Sequence, residues 1–194
     1  CGERNPCSRD TFERMIGTMI SGPVCLKDPE VEYRAILSAD RCYFGKVLLS
    51  FDRGAYDLRN PGKRDFFHPG VMMPRMARAL VNIAGVRDGD RVLDPFCGTG
   101  SFLIEAGLIG CRVIGADAQR HMAKGALRNL QHFDVTPEAV IVAGAEHSPI
   151  TDADGIVTDP PYGRTASTLG KSTEELVKAT LPEFQSLLDS KKRI

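Results

Sequence analysis

Net charge is missing from this sequence as a clue: 25 Lys and Arg balance 25 Asp and Glu over 194 residues. With no overall field to draw a partner, composition weakens a nucleic-acid reading and leaves only charge concentrated locally. The one basic stretch of note runs from Arg53 to Arg78, where Arg53, Arg59, Lys63, Arg64, Arg75 and Arg78 stand against Asp57 and Asp65. Metal-ligand spacing is missing too. Cys1, Cys7, Cys25, Cys42, Cys97 and Cys111 form no spaced pairs, and a chain of this size needs no disulfide framework. They read as reduced thiols, with no metal expected. No apolar run approaches the roughly 20 residues of a membrane span, and no signal peptide is evident. A cytoplasmic protein with no membrane partner is therefore expected. Internal repeats and low-complexity tracts are absent as well. So is an initiator methionine, which makes the chain look like a piece of something longer.

What is there is periodic. Ser8 and Asp10 precede Phe12, Met15, Ile16, Met19 and Ile20 at helical spacing, and Gly22 follows as a stop, so a capped amphipathic helix is expected. Val31 to Ala35 alternates like a half-buried strand, and Tyr43 to Phe51 reads as a second. One helix and two strands cannot close a core, so residues 1–52 look like the end of a domain. Residues 53–71, with Pro61, Gly62, Pro69 and Gly70, read as a basic linker.

From residue 72 to residue 194 a second domain is expected. Pro74 opens a helix with Met76, Ala77, Leu80, Val81 and Ala84 at helical spacing. A strict alternation follows: strand Arg91 to Asp94, helix Gly100 to Ile109, strand Arg112 to Asp117, helix His121 to Gln131, then strands Ala139 to Ala143 and Gly155 to Asp159. Such alternation predicts an α/β fold with a parallel, Rossmann-like sheet. It supplies about four strands, which would leave the strand bearing Asp159 at an open edge. Ser172 with Glu175 predicts a capping box for a last helix, and Pro182 inside its apolar pattern predicts a kink or break. The final KKRI falls where another strand is due.

Two strand ends and one turn carry the chemistry. In VLDPFCGTGSFLIEAG, Gly98 and Gly100 lie between a strand and a helix, the geometry for backbone approaching a ligand closely. There is no Gly-Lys-Ser or Gly-Lys-Thr, so this is no phosphate loop. Asp94 at the strand end would repel a pyrophosphate and suits a cationic ligand, such as S-adenosylmethionine with its ammonium and sulfonium. Asp117 ends the next strand, where an acid can accept both ribose hydroxyls of a nucleoside. Either acid alone could equally be a helix N-cap. Thr158-Asp-Pro-Pro-Tyr-Gly163 then stops a strand, because two prolines have no N–H for the ladder. Asp159 and the Pro160 carbonyl could hold the two hydrogens of an exocyclic nucleobase amine for attack on a methyl group, with Tyr162 stacking on a splayed-out base. Cys97, inside the glycine turn, reads as a small filler.

DPFCGTG followed by DPPYG resembles the class I S-adenosylmethionine-dependent methyltransferases that modify amino groups. The fuller wording, DPFCGTGSFLIEAG, DGIVTDPPYGR and FFHPGVMMPRMARALVNIAG, is similar to the THUMP-domain tRNA guanine-N2-methyltransferases, best known in archaea, that act on the guanine at position ten. Residues 1–52 resemble the end of a THUMP domain. The resemblance implies that Asp94, Phe96, Gly98 and Gly100 form the cofactor loop and Asp117 holds the ribose. It implies that His68 and Pro69 close over the methionine end, and that Asp159, Pro160 and Tyr162 are catalytic. It also implies tRNA as partner, with Lys63, Arg64 and Arg164 as the residues expected to contact RNA. One departure stands out: the family usually reads Gly-Asp-Ala after the third strand, its Asp reaching the adenine amino group, whereas this chain reads Ala143-Gly144-Ala145. Glu146 or a backbone group would have to substitute. An adenine-N6 or cytosine-N4 DNA methyltransferase shares the Asp-Pro-Pro-Tyr motif, and a non-catalytic RNA-binding module is the competitor from another class.

Overall fold

The computed structural model describes residues 8–25, 27–38, 41–147, 149–161 and 172–193. The chain divides into two compact units, Cys1–Asp52 and Arg53–Ile194. In the first, helix α1 (Arg9–Gly17) begins at Ser8, whose side chain accepts from the Thr11 N–H. Strands β1 (Tyr33–Ser38) and β2 (Arg41–Lys46) pair antiparallel, with Tyr33 opposite Lys46 and Ser38 opposite Arg41. The second strand therefore starts and ends earlier than the sequence pattern placed it. Tyr33 stacks on Phe44 with ring centroids 5.6 Å apart. No described residue of this unit is buried, as expected of one helix and one hairpin with no second layer.

The second unit begins inside the stretch that the sequence reads as a linker. Residues 53–71 hold a single helical turn, α2 (Ala55–Leu58), and a 3-10 turn at Pro61–Lys63, and they bury Pro61 and Arg64. Helix α3 (Pro74–Ala84) follows, opened by Pro74 and closed by Gly85 at φ 75°. Its buried face is Pro74, Ala77 and Val81, while Met76, counted in the apolar stripe by spacing, is exposed.

The remainder alternates as predicted: β3 (Arg91–Asp94), α4 (Ser101–Gly107), β4 (Arg112–Asp117), α5 (Arg120–His132), β5 (Ala139–Val142), β6 (Ala153–Ile156), α6 (Thr173–Leu187) and β7 (Leu188–Arg193). The strands pair in parallel in the order β5-β4-β3-β6-β7. The four strands read from the sequence form the site-bearing part, and β7 covers the edge of β6 that the sequence left open. A turn at Ala145–His147 replaces a crossover helix between β5 and β6. Strand β6 ends at Ile156, three residues short of the predicted Asp159, although the Val157 N–H still donates to the Leu93 carbonyl (3.1 Å).

Period-two alternation sends neighbouring strand residues into different layers. Val92 and Val113 join Ala77, Val81, Leu103, Ala126 and Leu130 in one apolar cluster. Leu93 and Ile114, one position on, join Ile156, Phe184 and Leu187 in the other. The sheet is thus covered by helices on both faces, as a parallel sheet requires. The capping box of α6 forms: Ser172 Oγ accepts from the Glu175 N–H, and Glu175 accepts from the Ser172 N–H. Of the kink or break expected at Pro182, no break occurs, since the helix is continuous from Thr173 to Leu187. Pro182 is exposed, whereas Leu176, Thr180, Phe184 and Leu187 are buried, so packing on the opposite face offsets the one lost backbone bond.

Candidate functional site

Between β3 and β6 the strand order reverses direction, because β4 and β5 lie to one side of β3 and β6 to the other. At such a reversal the loops leaving the C-terminal strand ends diverge and open a crevice. That crevice is a cleft of about 350 Å³. Asp94, Asp117, Glu146 and Asp159 line it with His68, and no Lys or Arg does among the described residues. Such walls repel a phosphate and attract a cation.

Asp94 closes β3 and is 1% exposed. Its Oδ1 accepts from Thr158 Oγ1 (2.7 Å) and from the Phe96 N–H (3.2 Å). Burial pushes its pKa up to about 7; the two hydrogen bonds oppose the rise, and the nearby Asp117 and Asp159 charges add to it. Asp117 closes β4. Its Oδ2 accepts from the Gly98 N–H (3.0 Å) and its Oδ1 from the Gln119 N–H (2.8 Å). It is not the N-cap of α5, a place taken by Gln119. The acid of one strand end thereby braces the glycine turn of the next, and each oxygen keeps acceptor capacity for a ligand hydroxyl. Burial raises the Asp117 carboxyl, against those two bonds and the nearby His121 and His68. Asp159, half-buried beyond β6, is raised by burial.

The glycine turn needs its glycines. Gly98 and Gly100 have φ of 51° and 83°, and a Cβ on Gly100 would meet the Ala126 Cβ at 3.4 Å. Phe96 lines the cleft and packs on the cluster beneath the sheet. The Cys97 thiol is 4% exposed and pushed well up, chiefly by burial and then by Asp94 and Asp117, so it is a protonated filler. Thr99 Oγ1 is buried with no hydrogen-bond partner among the described residues, and Thr99 lines the cleft. An orphaned hydroxyl there fits a polar ligand that completes it.

His68 and Pro69 reach the same cleft, with His68 Nδ1 2.9 Å from the Pro69 carbonyl oxygen. Pro160 lines it beside Asp159. Tyr162 and Arg164 lie outside the described residues. Where the familiar acid after the third strand is missing, Gly144, Ala145 and Glu146 line the cleft.

Arg64 departs from expectation. It is 8% exposed, donating from Nη1 to Ser101 Oγ (2.8 Å) and from Nε to the Arg59 carbonyl (3.0 Å). Burial lowers its guanidinium to about 10, so it stays charged at neutral pH while facing the protein interior. Lys63 beside it is exposed. Two residues that support the segments around the cleft escaped the sequence reading, Asn129, which bonds Phe66 and Thr99, and Glu105, which pairs with Arg59 and Arg78. Asn129 and Glu105 did carry a signal, each a polar side chain in the apolar stripe of a helix.

Comparison with known proteins bears on the family and the fold. Residues 61–194 match the UPF0020 family, described as RMKL-like, methyltransferase domain. The tRNA (guanine(10)-N2)-dimethyltransferase of Methanothermobacter thermautotrophicus is 44% identical, over 92% of this chain and 54% of its own length. The protein of the same name from Methanocaldococcus jannaschii is 40% identical, over 89% and 52%. The crystal structure of TrmN from Thermus thermophilus superimposes with a TM-score of 0.59 at 25% identity, covering 97% of this chain and 56% of that one. The chain spans about half the length of these curated relatives.

Proposed function

The chain belongs to the RMKL-like methyltransferase-domain family, and from that premise we propose that its parent enzyme transfers a methyl group from S-adenosylmethionine to the exocyclic N2 amine of a guanine in tRNA. The observation that carries the reading is a cleft at the strand-order reversal lined by four carboxylates and, among the described residues, no Lys or Arg. S-adenosylmethionine brings two positive centres, and when bound it supplies an electrophilic methyl group on a sulfonium. The residues present fit it: Asp94 would hold the ammonium, Asp117 would accept from the ribose hydroxyls, and Thr99 Oγ1 would gain a partner. His68 and Pro69 close the methionine end, and Glu146 takes the side where the family's adenine acid is missing.

An exocyclic guanine amine is a weak nucleophile, because its lone pair is delocalised into the ring. Asp159 and the Pro160 carbonyl accept its two hydrogens and turn the lone pair toward the methyl group. Tyr162 stacks on the base, which must be splayed out of the helix to arrive. Orientation and fixed acceptors would suffice for this transfer, in which the nitrogen–methyl bond forms as the sulfonium–methyl bond breaks to leave a thioether, and the proton the nitrogen then sheds would pass to Asp159 or to water. Lys63 and Arg164 supply phosphate contacts, and the first unit, read as the end of a THUMP domain, adds RNA surface. A tRNA substrate is consistent with the expected cytoplasmic enzyme. Nucleoside mass spectrometry of tRNA incubated with the full-length protein and methyl-labelled cofactor tests the proposal. Label is expected in N2-methylguanosine or N2,N2-dimethylguanosine. Label confined to N6-methyladenine or N4-methylcytosine of added DNA, or transfer to neither nucleic acid, overturns it.

A further inference from the structure

The segment from Arg59 to Met72 has no regular structure beyond the 3-10 turn at Pro61–Lys63, yet it brings His68, Pro69 and Met72 to the rim of the cleft. One buried amide ties it down. Asn129, on α5 and 0% exposed, accepts from the Phe66 N–H at Oδ1 (2.8 Å) and donates from Nδ2 to the Phe66 carbonyl (2.9 Å). Its other Nδ2 hydrogen goes to the Thr99 carbonyl in the glycine turn (2.9 Å). The side chain thus pairs with Phe66 as a neighbouring strand would, and spends its last donor on the turn that approaches the ligand.

Asn129 stands between Ala126 and Leu130 on the buried face of α5, where Leu or Ala would serve helix and core better. All three of these bonds leave its own helix for the two segments that frame the cleft. Below it the Phe66 ring lies against Gly125, where an added Cβ would stand 2.0 Å from Phe66 Cδ1. We propose that Asn129 is a positioning residue for the cofactor cleft: one amide sets the spacing between the Phe66–Met72 segment and the glycine turn, with Gly125 as the seat that lets the segment come close. This rests on the S-adenosylmethionine reading of the cleft.

The test measures calorimetric affinity for S-adenosylmethionine in the full chain and in two variants, with near-UV circular dichroism reporting the folded state. Asn129→Ala removes the tie. Gly125→Ala leaves Asn129 intact and favours the helix, but pushes the Phe66 ring off its seat. Both are expected to weaken cofactor affinity by about tenfold or more, the scale of losing one or two buried hydrogen bonds. Affinity for tRNA should be unchanged, a split that a purely structural asparagine would not produce. Absence of binding by the unmodified chain refutes the cofactor reading itself. Unmodified-chain binding combined with unchanged affinity in folded Asn129→Ala, or loss of fold in both variants, assigns Asn129 to stability alone and overturns the inference.

Discussion

A carboxyl with a pKa of about 7, held in a closed niche by Thr158 and Phe96, makes Asp94 the residue whose charge the ligand must settle. In the unfolded chain an Asp ionises near 3.9. Between about 4 and 7 the folded state therefore binds the extra proton. The stability of the empty protein should fall as pH rises through that window and level off above it. A cationic ligand favours the ionised carboxyl, so affinity for S-adenosylmethionine should rise with pH to a plateau above about 7, with a proton released on binding below it. Calorimetry in buffers of different ionisation enthalpy counts that proton. Thr158→Val removes a bond that lowers this pKa and should move the midpoint upward. Asp159 has a different part. If it accepts from the amine mainly in the transition state, Asp159→Ala should lower single-turnover methylation by at least about a hundredfold, with cofactor affinity little changed. A normal rate per folded molecule would remove Asp159 from the chemistry.

At the level of elements, helix α4 is buried from Ser101 to Ala106 and bears a carboxylate on its inner side. Glu105 is 1% exposed and pairs with Arg59 (2.7 Å) and Arg78 (3.0 Å). The trio joins α4 to α3 and to the segment that leads into the cleft. Replacing one member of a buried ion cluster leaves the others without compensation. Glu105→Ala should cost about 3 to 5 kcal/mol in denaturant unfolding, whereas the exposed pair Lys178–Glu174 should be worth less than about 1 kcal/mol. Comparable losses from the two would mean that the cluster is no firmer than a surface pair. On the cleft side, Arg64, Ser101 and the Met72 carbonyl form a relay, Ser101 Oγ donating onward at 3.1 Å. The first residue of α4 thus anchors the same segment that Asn129 holds from α5.

For the whole molecule, the zero net charge of this chain means that, on the tRNA reading proposed above, attraction to RNA must come from local patches, and burial divides the basic stretch. Lys63 is exposed while Arg64 faces inward. Lys63→Ala should flatten the slope of log affinity for tRNA against log salt by about 1. Arg64→Ala should lower the unfolding midpoint with the slope unchanged. A flatter slope in Arg64→Ala would show that its guanidinium reaches phosphate. Among the described residues no helix is long and apolar enough to cross a membrane.

Strand ends and turns were legible because their causes are local. Two prolines stop a strand wherever they fall, glycines at positive φ mark a tight turn, and an alternating β-α pattern admits a parallel sheet. Asp94 and Asp117 could be placed at strand ends from those rules alone, whereas the strand before Asp159 stops at Ile156. The rest depends on partners far away in the chain. Asn129 meets Phe66 across 63 residues and Arg64 meets Ser101 across 37; the apolar stripe around Asn129 signals that it is buried, but no local pattern names the partner of either residue. A basic run beside prolines looks like a solvated linker until packing removes one of its charges from water. Likewise the edge of β6 looks open until β7 pairs with it. Short-range sterics and hydrogen-bond supply decide where an element stops; which polar group is buried, and against what, is decided by the closing of the core, where each buried donor and acceptor must find a partner that chain order does not reveal.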